Sequence, residues 1–183
     1  MKKKARVKAL VIGNGESRKQ IDLNLFKHDE WEIYGCNALY REFIPDHLVI
    51  LDSPMRQEFE QSIVKDYIEN VHYIENIPEY EPMMNSGVIA ILIAMRTHSE
   101  IHLIGFDLED SGGRVNNIYN DTENYYNSNK ESGGFIIEQY NIKAVCNRFN
   151  GKIIRVADNN PFELDKYVEN VTIKEYVKGF KNG

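Results

Sequence analysis

Short apolar runs rich in β-branched residues recur along this chain, most of them followed by a segment with room for a helix, and that alternation leaves few folds open. Residues 7–12, 31–36, 47–51, 71–74, 101–106 and 152–156 are each about one strand long. The clearest helix spans 86–97, where Val88, Ile91, Leu92 and Met95 fall at i, i+3, i+4 and i+7, with the small Ala90 and Ala94 on the other flank. A second helix is expected over 135–150, with Ile137, Tyr140, Ala144, Val145 and Phe149 at helical spacing and Gly151 as its stop. Strand and helix in alternation predict the α/β class: a single doubly wound, Rossmann-like, mainly parallel sheet with helices on both faces.

The chain has 183 residues, about one domain's worth. It reads as one domain over 1–183, with a core over 6–157, a long polar loop over 107–134 after the fifth strand, and a tail over 158–183. Lys and Arg number 22 and Asp and Glu 28, a net charge of −6, so the molecule as a whole repels phosphate backbones and is not expected to bind nucleic acid. Lys2, Lys3, Lys4, Arg6 and Lys8 form the one basic cluster. The apolar run behind them, Ala9 to Ile12, is too short for a signal peptide, and no stretch approaches the ~20 apolar residues of a membrane span. Cys36 and Cys146 have no metal-ligand spacing and read as reduced thiols, giving an expected cytoplasmic location. In the tail, residues 172–180 are weakly amphipathic and suited to docking on the body or to self-association, a route to a homo-oligomer.

In open α/β sheets ligands bind beyond the carboxyl ends of the strands. The first such turn is Gly13-Asn14-Gly15-Glu16-Ser17, whose glycines and amides can cradle a phosphate. It is half a dinucleotide fingerprint, since Arg18 stands where the third glycine would be. Asn37 follows the second strand where a nicotinamide-binding protein would carry a carboxylate, which argues against NAD. Asn85-Ser86-Gly87 opens the best helix; a cap accounts for Asn85 or Ser86 but not for Gly87 in the first turn. Asp52 and Asp107 close the third and fifth strands, placed to hold Mg²⁺ against phosphate oxygens or to cap the turns. The loop carries Tyr119, Asp121, Glu123, Tyr125 and Tyr126, and its position after a strand suits an active-site lid. The five histidines have no metal spacing.

In order and spacing, residues 11–17 with Ile21-Asp22, Cys36-Asn37 with Tyr40, Asn85-Ser86-Gly87 with Ala90 and Ala94, and 101–107 resemble the bacterial lipooligosaccharide sialyltransferases. They also resemble the related 6-hydroxymethylpterin diphosphokinase-like and flagellin-glycosylation domains, over roughly residues 6–157. The resemblance implies that Asn14, Asn37 and Ser86 hold a CMP-sugar donor, with Gly13, Gly15, Ser17, Asn85 and Gly87 completing the nucleotide site. It implies a glycosyltransferase in which Tyr119, the nearest match to the family's loop tyrosines, stabilises the departing phosphate, with Asp107 or Asp121 assisting proton transfer. The sialyltransferases use a histidine base in the loop before their last core helix, and no histidine follows His102 here. Asp52 instead resembles the diphosphokinase-like branch, which implies a Mg²⁺-dependent diphosphotransferase. A catalytically silent nucleotide-binding module is the third expectation.

Overall fold

The computed structural model describes residues 8–78, 80, 81, 83–161 and 168–181. Lys2, Lys3, Lys4, Arg6 and Val7 of the expected basic cluster and first strand lie outside the described residues, as does part of the tail. Seven strands form one sheet: β1 (Lys8–Ile12), β2 (Trp31–Cys36), β3 (His47–Val49), β4 (Asn70–His72), β5 (Glu100–Ile104), β6 (Lys152–Val156) and β7 (Glu169–Val171). Four α-helices accompany them among the described residues: α1 (Ser53–Gln61), α2 (Ser86–Met95), α3 (Ile136–Asn147) and α4 (Ile173–Lys181). Every strand pairing is parallel, in the order β4-β3-β2-β1-β5-β6-β7. This is a Rossmann-like α/β sheet, and no described helix is long and apolar enough to cross a membrane.

Alternation along the strands divides the core. Ala9 and Val11 of β1 and Ile101 and Leu103 of β5 pack with residues of α2 and α3. Leu10, Ile12, Ile33 and Ile104 point the other way, onto Phe26, Trp31 and the α4 residues Ile173, Tyr176, Val177 and Phe180. The amphipathic tail segment therefore docks on its own domain. Its neighbour β7 adds a strand where only a tail was expected, because Glu169-Asn170-Val171 is too short and polar to read as one. Helix α1 was also missed, since only Met55 and Phe59 are buried in it, although Pro54 in its first turn is a recognised start signal.

Two helix faces differ from the periodicity. Helix α2 is buried almost all round, from Val88 to Ile91 and at Ile93 and Ala94, rather than along one stripe. On α3 the expected apolar residues Ile137 and Tyr140 are exposed, at 45% and 72%, and the buried face carries Gln139, Ile142, Val145 and Cys146. Gln139 holds its inward position by donating to the Leu108 carbonyl at 2.5 Å, so a hydrogen bond overrides the hydrophobic pattern.

The strand order reverses between β1 and β5, and the chain is tightest there. Gly13 N–H donates to Ile104 O at 2.8 Å and Gly15 N–H to Gly105 O at 2.9 Å. A Cβ on Gly13 would stand 2.5 Å from Gly105 O, and one on Gly105, at φ +69°, 2.6 Å from Gly13 O. Gly105→Ala therefore meets both backbone strain and a contact that cannot yield. It is expected to destabilise the fold by about 2–3 kcal/mol in urea titration, against about 1 kcal/mol or less for Gly112→Ala, where φ is also positive but no atom stands within 4 Å. Equal costs would show that the contact does not matter.

Candidate functional site

The reversal opens a crevice beyond the carboxyl ends of β1 and β5, the position at which open α/β sheets take ligands. It holds a cavity of about 880 Å³, into which Gly13, Asn14, Gly15, Asn37, Asp52, Asn85, Ser86, Gly87 and Asp107 all open. Residues chosen from four separate strand exits and one helix start thus share one wall system. Tyr125, Tyr126, Lys130 and Phe135 of the long loop and its end close the opposite side.

The first turn differs from expectation. Four of its five amides already have acceptors: Gly13 and Gly15 bond the β5 exit, Glu16 N–H donates to Asn116 Oδ1 at 2.9 Å, and Ser17 N–H to Asp107 Oδ2 at 3.1 Å. Ser17 Oγ donates to Asp107 Oδ1 as well, and Asn116 Nδ2 to Oδ2 at 3.0 Å. The chain's own carboxylate occupies the place a phosphate would take on this turn. Gly13 and Gly15 are required by close approach to Gly105 and Asp107, and Gly87 by the Phe106 ring at 3.0 Å from its would-be Cβ.

The start of α2 is different. Asn85 Oδ1 accepts from Val88 N–H at 3.0 Å, a regular N-cap, while the Ser86 and Gly87 amides belong to the first turn and have no partner within the helix. Facing the same cavity, Asn14 and Asn37 each bury a side-chain oxygen without a hydrogen-bond partner among the described residues. Asn14 Nδ2 donates to Tyr125 Oη at 3.3 Å, and Asn37 Nδ2 to Asp52 Oδ2 at 3.3 Å. A buried acceptor left unpaired costs about 1–3 kcal/mol. Asn37 at φ 47° and Leu108 at φ 60° add left-handed backbone at the exits of β2 and β5, and both line the cavity.

Two expected catalytic groups lie elsewhere. Tyr119 is 7% exposed and does not line the cavity; its hydroxyl accepts from Arg18 Nη2 at 2.9 Å and donates to Glu42. Asp121 is exposed and accepts from Ser128 N–H at 2.8 Å, which holds its carboxyl below the usual range, and it too stands outside the cavity. Both serve the loop's own structure. Tyr125 takes the place expected of Tyr119: its oxygen receives Asn14 Nδ2 and Ala38 N–H, at 3.3 and 3.4 Å, and burial raises its pKa, so it is a neutral phenol with a proton to donate.

Asp52 and Asp107 both line the cavity, but Asp107 is already engaged within the protein. Both oxygens of Asp107 already accept hydrogen bonds, and no group of three or more His, Cys, Asp or Glu among the described residues can hold a metal ion. No histidine lines the cavity. His47 instead bonds Glu32 at 2.8 Å and His72 at 3.1 Å, behind β2, β3 and β4.

Arginines that the sequence did not single out as functional hold the floor. Arg18, 3% exposed, donates to Gly13 O at 3.3 Å and pairs with Glu42. Arg155, 1% exposed, donates to Phe106 O at 2.8 Å, Asp107 O at 3.0 Å, and Asn159 and Asn170. Burial pulls its pKa down to about 10. An arginine inside an apolar strand run was the readable signal.

Arg41 extends to Thr122 Oγ1 and Glu123 O, both at 2.8 Å, and Asn124 Nδ2 donates to Glu58 at 2.8 Å. Ile118 N–H donates to Asn14 O at 2.9 Å. Residues 116–126 are therefore a fixed wall. Residues 109–115 and 128–134 bond chiefly to each other, through Val115 N–H to Lys130 O at 3.2 Å and Ser132 N–H to Gly113 O at 2.9 Å. Lys130 Nζ stands 3.5 Å from the centre of the Tyr126 ring, a contact worth about 0.5–1 kcal/mol at an exposed site.

No protein-family model, curated protein or solved structure matches this chain. Tyr119→Phe should cost about 1–3 kcal/mol of stability in urea titration, because it strips a partner from buried Arg18, while ligand affinity stays within about twofold. A loss of affinity at unchanged stability would restore Tyr119 to the site. Burial, with His47 and Arg96 nearby, pushes His72 down from 6.5 to about 4. A folded pKa below the unfolded one means that the unfolded chain binds the extra proton, so stability is whole above pH 6.5 and falls as pH drops toward 4. The fall in urea midpoint should be shallower in His72→Gln; an identical slope would contradict the assignment.

Proposed function

We propose that this chain binds a nucleotide at the sheet's reversal and transfers the group that the nucleotide carries. By the resemblance to the lipooligosaccharide sialyltransferases, the donor is a CMP-sugar and the activity is that of a glycosyltransferase. The observation that carries the reading is the conjunction of the α2 amino terminus with the unpaired buried oxygens of Asn14 and Asn37 on one cavity. An amino terminus favours a phosphate, and lone amide oxygens call for a ligand rich in N–H or O–H donors, as a nucleoside is.

In this reading Asn14 and Asn37 accept from the nucleoside, and the phosphate lies against Ser86 and Gly87. As the bond between sugar and phosphate oxygen breaks, negative charge grows on the phosphate. The helix dipole and the phenolic proton of Tyr125 stabilise it there. Glu109, Glu131 and Glu138, which also line the cavity, are the carboxylates placed to accept the acceptor's proton. The Mg²⁺-dependent diphosphotransferase reading would draw on Asp52, with Asp107 already engaged on Ser17 and Asn116. The silent-module reading keeps one observation in its favour: Tyr119, Asp121 and every histidine stand away from the cavity.

CMP at a hundredfold excess over its Kd should raise the melting temperature by roughly 5–10 °C in EDTA, with ATP and GTP giving less. No shift with any nucleotide would end the proposal. Slow hydrolysis of CMP-sialic acid that disappears in Ser86→Ala marks the transferase, and binding without turnover marks the silent module.

A further inference from the structure

The cavity is poor in positive charge for a site that takes a phosphate. Asp52, Asp107, Glu109, Glu131 and Glu138 line it, and Lys130 is the one lysine or arginine among the described residues that does. Most of the turn amides that would usually offset a phosphate are spent on Gly105, Asp107 and Asn116. The α2 amino terminus therefore needs a cation beside it.

We infer that Lys130 is that cation: it leaves the Tyr126 ring to form a charge-assisted hydrogen bond with the ligand's phosphate. The inference rests on the nucleotide reading above. Three features fit Lys130 for the task. Its ammonium lies over an aromatic face 3.5 Å away, with no carboxylate paired to it among the described residues, so no ion pair must break. It sits on the outer part of the loop, which joins the wall held by Arg18, Arg41 and Glu58 through Asn120 to Val115 O and Ser128 N–H to Asp121. Glycines at φ +62°, +80° and +83° (Gly112, Gly113 and Gly134) supply that outer part with conformationally permissive joints. Tyr126, half exposed at 49%, is the resting place for the ammonium when the site is empty of phosphate.

Calorimetric titration of the full chain with CMP and with cytidine tests this directly. Lys130→Ala and Lys130→Met should each weaken CMP binding about tenfold and leave cytidine binding within about twofold, with melting temperatures lowered by no more than about 2–4 °C, the share of the exposed contact with Tyr126. In the wild type the advantage of CMP over cytidine should shrink as salt rises. Variants that bind CMP as tightly as the wild type overturn the role of Lys130 and leave the nucleotide reading standing. A wild type that binds neither compound overturns both.

Discussion

Everything about the site follows from how closely β1 and β5 leave the sheet together. Their exit loops approach until the Gly13 and Gly105 backbones are in van der Waals contact, with room for no Cβ on either side. Parallel strands turning away in opposite directions open a crevice; these two exits are pinned together at its floor by Gly13 N–H to Ile104 O and Gly15 N–H to Gly105 O. That pinning brings the Asp107 carboxylate onto Ser17, which occupies most of the first turn, while the start of α2 faces the cavity beside those of α1 and α3.

The sheet was legible because strands buried on both faces carry little besides apolar residues, and each of the six expected runs overlaps one of its strands. β7 was not, since an edge strand of three residues holds its place by pairing with β6 and not by burying side chains. The strand exits were legible for a related reason: glycine, asparagine and aspartate just after an apolar run mark where the chain turns, and in this fold turning places them at the crevice. Their local chemistry was not. Whether Asp107 binds metal, moves a proton or caps a turn depends on Ser17 and Asn116, at separations of 90 and 9 residues.

The loop shows the same limit more sharply. Tyr119 and Tyr125 lie six positions apart in one polar stretch, and composition treats them alike. One is drawn inward by Arg18 and Glu42, 101 and 77 residues away, and the other stands over Asn14. Helix α3 errs in the opposite direction: its apolar Ile137 and Tyr140 face outward because Gln139 is needed beneath to satisfy the Leu108 carbonyl. Leu108 lies past the end of β5, so its carbonyl has no place in the sheet's ladder and takes Gln139 instead.

The buried arginines make the charge of the crevice intelligible. A cation with 1% exposure would be costly were it unpaired, yet Arg155 has no carboxylate hydrogen-bonded to it; carbonyl and amide oxygens of Phe106, Asp107, Asn159 and Asn170 take its protons. Its charge is therefore not cancelled at contact, and nearby Asp107 and Glu109 only partly counter the burial that lowers its pKa. Arg18 is the contrary case, since Glu42 neutralises it directly. Both fixed cations reach cavity-lining groups: Arg155 lies near Asp107 and Glu109, and Arg18 near Cys36, whose thiol burial pushes up and Arg18 pulls partly back. Five carboxylates above are thus partly offset from beneath by Arg155 and Arg18.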